Sequence, residues 1–203
     1  TIDEKTIPPI INPTKKLHAK AISPMEIISK TNENTKLSQK LIRVQREIVD
    51  VMKNQHPDID VYINEQDISF WKIVFKGPDS TPYKNGTWLA YIQFTEEYPN
   101  IAPNIRFVTP IKHCNINNYG RVCHSILDRN YTPNVKISLI LQCIYGLLLN
   151  PDVNDPLDTN LAMIYYDANG LYEAQIIDYV NKFALKSREE WNQELAKNQF
   201  KNW

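Results

Sequence analysis

His113-Cys114-Asn115-Ile116-Asn117-Asn118-Tyr119-Gly120-Arg121-Val122-Cys123-His124-Ser125-Ile126-Leu127 is the stretch on which the reading of this chain turns. It gathers two of the four histidines and two of the three cysteines. It shows neither the 3.6-residue period of a helix nor the alternation of a strand. The wider segment His113–Thr132 is long for a connection without structure of its own, and such segments in compact domains tend to carry function.

Upstream, Leu37, Leu41, Val44, Ile48 and Val51 recur every three or four residues, with Lys40, Arg43, Arg46, Glu47 and Lys53 on other faces. That spacing predicts an amphipathic helix ending before Pro57. Four β-like runs follow: Ile59–Ile63, Ile68–Phe75, Thr87–Phe94 and Asn104–Val108. The second and third flank a turn, Gly77 to Gly86, that is rich in breakers and closes on Asn85-Gly86. The fourth follows Tyr98-Pro99 and Pro103. Short connections order them as a four-stranded antiparallel meander. Downstream, Ile137–Leu149 is apolar all round and reads as a buried helix stopped by Asn150-Pro151. A helix near 158–166 and a long one from about residue 170 complete the pattern. Helix, strands, irregular loop and helices in segregated order make an α+β domain rather than a doubly wound parallel sheet.

The chain of 203 residues divides on this reading into a front extension, 1–35, a core domain, 36–185, and a helical C-terminal extension, 186–203. Pro8, Pro9, Pro13 and Pro24 break the extension, whose composition predicts a largely flexible segment. Ser23-Pro24-Met25-Glu26 has a capping serine, proline at the first helical position and glutamate three residues after the cap, which allows a short helix over 24–30. Lys plus Arg and Asp plus Glu both number 23. That balance removes the positive field on which nucleic-acid and membrane-surface binders rely, so neither partner is expected. The longest apolar run is too short to cross a bilayer. No charged segment followed by an apolar stretch is visible near the start. Three cysteines without a Cys-x-x-Cys pair form a poor disulfide framework and predict a cytoplasmic or nuclear protein.

Three chemistries compete for the loop. Metal binding fails on spacing, because structural zinc sites pair ligands two to five residues apart and need a second, separated pair. A plain core role would make Cys123 a small buried hydrophobe and His113 a backbone-bonded ring; Cys143 takes that role here. The third is a thiol nucleophile with a nearby amide.

The pattern around the loop selects the third. His113-Cys114-Asn115, then Gly120-Arg121-Val122-Cys123, then Ile126-Leu127 resembles the signature of the ubiquitin-conjugating enzymes: His-Pro-Asn, then Gly-x-x-Cys and an apolar segment. The resemblance runs from about Leu37 to Tyr179. Gly77-Pro78 with Thr81-Pro82-Tyr83, Tyr98-Pro99 with Pro103, and Pro151 with Asp155-Pro156-Leu157 resemble further family segments in the same order. It implies the family's fold and a cysteine, Cys123, that accepts ubiquitin or a ubiquitin-like modifier as a thioester from an activating enzyme. The modifier then passes to a substrate lysine with help from a ligase, and no cofactor or metal takes part. Asn115 matches the family's asparagine, a candidate for stabilising the oxyanion or for holding the loop. Asp155 matches the acidic residue that favours the attacking amine, with Asp158 as the alternative and a helix cap as the plain role of either. His113 is expected to tie the loop together.

No cation is evidently placed to activate the thiol; Arg121 and His124 are candidates that read more readily as surface residues. An inactive binding module of the same fold is the competing function, and a thiol hydrolase a third. Five positions depart from the family pattern. Cys114 replaces the motif proline, His124-Ser125 follow the nucleophile where Leu and Asp are common, and Tyr131 stands where Trp is usual. Asn100 stands where members that engage RING-type ligases often expose Phe, which removes an apolar anchor from that contact.

Overall fold

The computed structural model describes residues 15–16, 39–64, 67–167 and 169–197. A two-residue strand, β1 (Lys15–Lys16), comes first, then helix α1 (Gln39–Lys53) and strands β2 (Ile59–Ile63), β3 (Phe70–Lys76), β4 (Thr87–Gln93) and β5 (Asn104–Phe107). A 3₁₀ turn at Ser125–Leu127 leads to α2 (Ile137–Leu149), α3 (Thr159–Ile164), α4 (Leu171–Phe183) and α5 (Arg188–Lys197). The sheet is antiparallel throughout in the order β1-β2-β3-β4-β5. The expected meander is present, with β1 added at its edge from within the front extension. The helix expected over 24–30 lies outside the described residues.

Strand alternation sorts side chains onto two buried faces. Trp71, Ile73 and Phe75 of β3 pair with Ile92, Ala90 and Trp88 of β4 and join the main core, together with Val44, Ile48 and Val51 of α1 and Ile140, Leu141 and Ile144 of α2. The other parity, Tyr62, Val74, Leu89 and Tyr91, packs with Val108 and with Trp191 and Leu195 of α5. The C-terminal helix thus covers the outer face of the sheet. Burial of Trp191 contributes about 4 kcal/mol on area alone, and its Nε1–H donates to Thr87 Oγ1 at 3.0 Å.

The helix expected from about residue 170 ends at Phe183, and α5 lies beyond it within the extension 186–203. α4 stops at Phe183 because the Ala184 carbonyl accepts from Thr87 N on β4 at 2.9 Å instead of extending the helix. α5 restarts with a capping box: Ser187 N donates to Glu190 Oε2 at 2.7 Å and Glu190 N donates to Ser187 Oγ at 3.2 Å. Ser187-Arg188-Glu189-Glu190 carries that signal in the sequence.

One buried carboxylate fastens both ends of the chain to the sheet. Asp60, 4 % exposed, accepts from Arg188 Nη2 at 2.6 Å and Nε at 2.8 Å, and pairs with Lys16 Nζ at 2.7 Å. Burial alone would raise its pKa, but the hydrogen bonds from Arg188 and Lys16 hold it below the ordinary value. A second buried carboxylate, Glu47, joins α1 to the site's flanks: it accepts from Arg43 Nε at 2.5 Å, Tyr98 Oη–H at 3.2 Å and Ile137 N at 2.8 Å.

Candidate functional site

The chain leaves β5 and folds back on itself so that the quoted loop lies against the end of the sheet. Gly120 O accepts from Phe107 N at 2.9 Å. Gly120 has φ of 76°, and a Cβ there would sit 1.9 Å from the Phe107 carbonyl oxygen, so this position needs glycine on both counts. Asn117 shapes the turn, its Oδ1 accepting from Tyr119 N and Arg121 N, both at 3.0 Å. Bridges from Ile116 to Val122 and to His113 close the loop.

His113 is the loop's internal rivet. It is 1 % exposed, its Nε2 lies 2.8 Å from Leu147 O in α2, and its Nδ1 accepts from Asn115 N at 2.9 Å. Accepting at Nδ1 fixes the neutral tautomer with the proton on Nε2. Burial brings its pKa down to about 4. Both ring nitrogens are occupied, so His113 cannot serve as a general base. Cys114 is fully buried, its thiol pushed up to about 11 by burial, and its carbonyl accepts from Leu157 N at 2.7 Å and Asp158 N at 3.0 Å. The cysteine replacing the family's proline is therefore core, and its backbone holds the segment after α2.

Asn115 connects the two halves of the site. Its carbonyl accepts from Cys123 N at 2.8 Å. Its side-chain amide donates to Asp152 O at 2.7 Å and Asp155 O at 3.1 Å, while its Oδ1 accepts from Asp152 N at 2.9 Å. Every polar atom of a side chain only 1 % exposed is thus engaged in holding the loop that carries Asp155.

Cys123 is half-buried and opens into a groove of about 340 Å³ that Asn104, His124, Arg129, Asp155 and Leu157 also line. A larger cavity, about 420 Å³, lies by the C-terminal end of α1 and contains no cysteine. Burial and the neighbouring Asp155 carboxylate hold the Cys123 thiol above its ordinary value, while Arg121 and Arg129 pull the other way. The two candidate activators therefore divide. Arg121 favours the thiolate without prevailing. His124 supplies no positive charge near pH 7: its Nδ1 accepts from Ile126 N at 3.0 Å and caps the 3₁₀ turn, and burial lowers its pKa.

The two candidate acids separate just as clearly. Asp158 caps α3, accepting from Leu161 N at 2.9 Å, and pairs with Lys112 at 2.5 Å. Burial works against its charge, but Lys112 and the helix N–H groups keep its pKa below the ordinary value. Asp155, by contrast, has its side chain 57 % exposed at the groove, with Arg129 Nη2 3.8 Å from Oδ2.

Among the described residues, no three His, Cys, Asp or Glu side chains are arranged to hold a metal ion. Cys143, read as core, is only half-buried on α2. Tyr131 donates its hydroxyl to Pro99 O at 2.8 Å, tying the groove's flank to the Tyr98-Pro99 loop. Asn100 is exposed there, and so is its neighbour Ile101, at 56 %. Ile101 and Arg129 escaped the sequence reading because each stands in irregular chain, where no periodicity separates an exposed side chain from a buried one.

A family model described as ubiquitin-conjugating enzyme matches residues 43–180, more than half of the chain. Ubiquitin-conjugating enzyme E2 13 of Schizosaccharomyces pombe is 30 % identical over 143 residues, covering 70 % of this chain and 97 % of that protein. A crystal structure of a protein described as a ubiquitin conjugating enzyme from Plasmodium yoelii superposes with a TM-score of 0.64 at 32 % identity. It covers 74 % of this chain and 98 % of that one.

Proposed function

Since the chain belongs to the ubiquitin-conjugating enzyme family, we propose that it is an active member, carrying ubiquitin or a ubiquitin-like modifier as a thioester on Cys123 and passing it to a substrate lysine. The observation that carries this reading is the placement of Cys123 and Asp155 on one groove, with Asn115 bonded to the backbone of both. Activating enzyme, modifier and ligase are the partners the family implies, in a reducing compartment such as cytoplasm or nucleus.

In the first step Cys123 attacks the modifier's C-terminal thioester on the activating enzyme. A carbon–sulfur bond forms to Cys123 and the activating enzyme's thiolate leaves. A free thiol with pKa about 8.5 is a few per cent ionised at pH 7. The raised value at Cys123 makes that fraction smaller still, so loading should quicken as pH rises. In the second step the lysine nitrogen attacks the thioester carbonyl, a carbon–nitrogen bond forms, and the carbon–sulfur bond breaks with Cys123 leaving as thiolate. The proton shed by the nitrogen passes, by way of Asp155, to solvent or to that thiolate. An amine of pKa about 10.4 is neutral about once in 2,500 molecules at pH 7, a deficit near 4.6 kcal/mol. Asp155 compensates by drawing the amine to the thioester and accepting its proton as the nitrogen attacks.

Asn115 acts in this reading as a positioning residue. To reach the oxyanion its amide would have to release Asp152 and Asp155. Ile101 supplies an apolar contact for a ligase where Asn100 removes one.

The test is incubation with ATP, an activating enzyme and a panel of modifiers. A reductant-sensitive adduct is expected with one of them. Cys123→Ser should give a reductant-resistant oxyester, while Cys114→Ala loads as the parent does. A reductant-sensitive adduct on Cys123→Ser would reassign the nucleophile, and no adduct with any modifier would favour a binding module.

A further inference from the structure

An ion pair spans the groove of Cys123. Arg129 follows the 3₁₀ turn on one rim, Asp155 stands on the other, and Nη2 lies 3.8 Å from Oδ2. The two side chains are 67 % and 57 % exposed. Asp155 is anchored by its carbonyl to Asn115, so its carboxylate has a fixed base and a solvated head. A guanidinium is always charged and pairs with a carboxylate as an alkylammonium does. Unlike a lysine amine, it has no accessible neutral form with which to attack a thioester.

We infer that Arg129 is a resident substitute for the acceptor amine: it holds Asp155 until a substrate lysine displaces it, and so sets the threshold for acceptor entry. This rests on the reading of Asp155 given above. Arg129 is a positioning residue, acting through Asp155 and not on the reacting atoms. The pair is weak enough for the task, because exposed pairs of this kind shift an equilibrium by about two- to five-fold and fade with salt. The same guanidinium stands within electrostatic reach of Cys123, where it favours the thiolate. Its removal therefore has opposite effects on the two steps, slower loading and faster discharge. A loss of local structure would slow both.

The experiment uses the full chain. Parent, Arg129→Gln and Arg129→Lys are loaded with the modifier they accept, separated from the activating enzyme and chased with free lysine at low and high salt. Arg129→Gln should discharge about two- to five-fold faster at low salt, converge with the parent at high salt, and load no faster than it. Arg129→Lys should behave as the parent, and in an Asp155→Asn background the Arg129→Gln acceleration should vanish. Unchanged or slower discharge of Arg129→Gln, with Asp155→Asn itself defective, overturns the inference and leaves the proposed mechanism standing. Asp155→Asn discharging as the parent does would overturn both.

Discussion

The chain uses carboxylates in two opposite ways, at Asp60 and at Asp155. Asp60 is buried, bidentate to Arg188 and paired with Lys16, and it fastens both ends of the chain to the sheet. Asp155 is exposed, faces one guanidinium at 3.8 Å, and has only its backbone held firmly. Where two segments must stay joined, the carboxylate is desolvated and both its oxygens are engaged by half-buried cations; breaking such a set by removing one partner costs up to about 3–5 kcal/mol. At Asp155 the backbone is fixed and the charge stays in water, where a pair contributes about 0–1 kcal/mol. Firm framework and available head are separated within a few atoms of one residue.

The contrast can be tested from its strong end. Asp60→Ala should destabilise by up to about 3–5 kcal/mol, since it leaves Arg188 and Lys16 without their shared partner. Thermal unfolding should then fall by roughly 10 °C. A fall of only a degree or two would show that the packing of Trp191 and Leu195 suffices to hold α5. Below that in size comes a pH effect on the loop's rivet. His113 titrates near 6.5 when unfolded but at about 4 when folded, so between those values the unfolded chain holds the extra proton. Its contribution is complete above pH 6.5 and falls by as much as about 3 kcal/mol as pH drops toward 4. His56 and His124, also lowered by burial, add in the same direction. Urea midpoints at pH 7.5 and pH 5 check this, and a flat profile would mean that His113 is not buried in its neutral form. Least of all in stability is Asp155→Ala, expected to move the unfolding midpoint by less than about 0.5 kcal/mol, as surface changes do. It should nevertheless slow discharge to lysine more than it slows loading. Equal losses in both steps would return Asp155 to the structural class of Asp60.

These differences also explain what the sequence disclosed. The framework was legible because periodicity marks helix α1 and the apolar run marks α2, and because strand-forming runs bounded by Pro, Gly and Asn mark the meander. α5 falls within the helical extension read over 186–203, but the break before it was not legible from breakers, since no proline follows Asp158, and only Ser187 and Glu190 mark the new start. The two-sided burial of β2 to β4 could not be read, since it depends on a helix more than a hundred residues away. At the site, the loop motif pointed to Cys123, Asn115 and His113 and the family resemblance to Asp155; the structure places Cys123 and Asp155 on one groove, with Asn115 bonded to the backbone of both. The sequence left open which of Asp155 and Asp158 is free to act. The difference lies in Lys112, which reaches Asp158 from 46 positions away, and no local pattern reveals such a pairing.

Asn115 bonds through its carbonyl to the nucleophile's amide and through its side chain to the loop of the acid, which makes it a strut one residue long. The spacing between the backbones of Cys123 and Asp155 is therefore a built dimension, set by the torsions of a single packed side chain and not by the relative drift of two loops. Motions of one rim are carried to the other. On the proposed mechanism this spacing gauges the acceptor, and a substitution that shortens the strut would change which amines fit before it changed whether the thiol reacts.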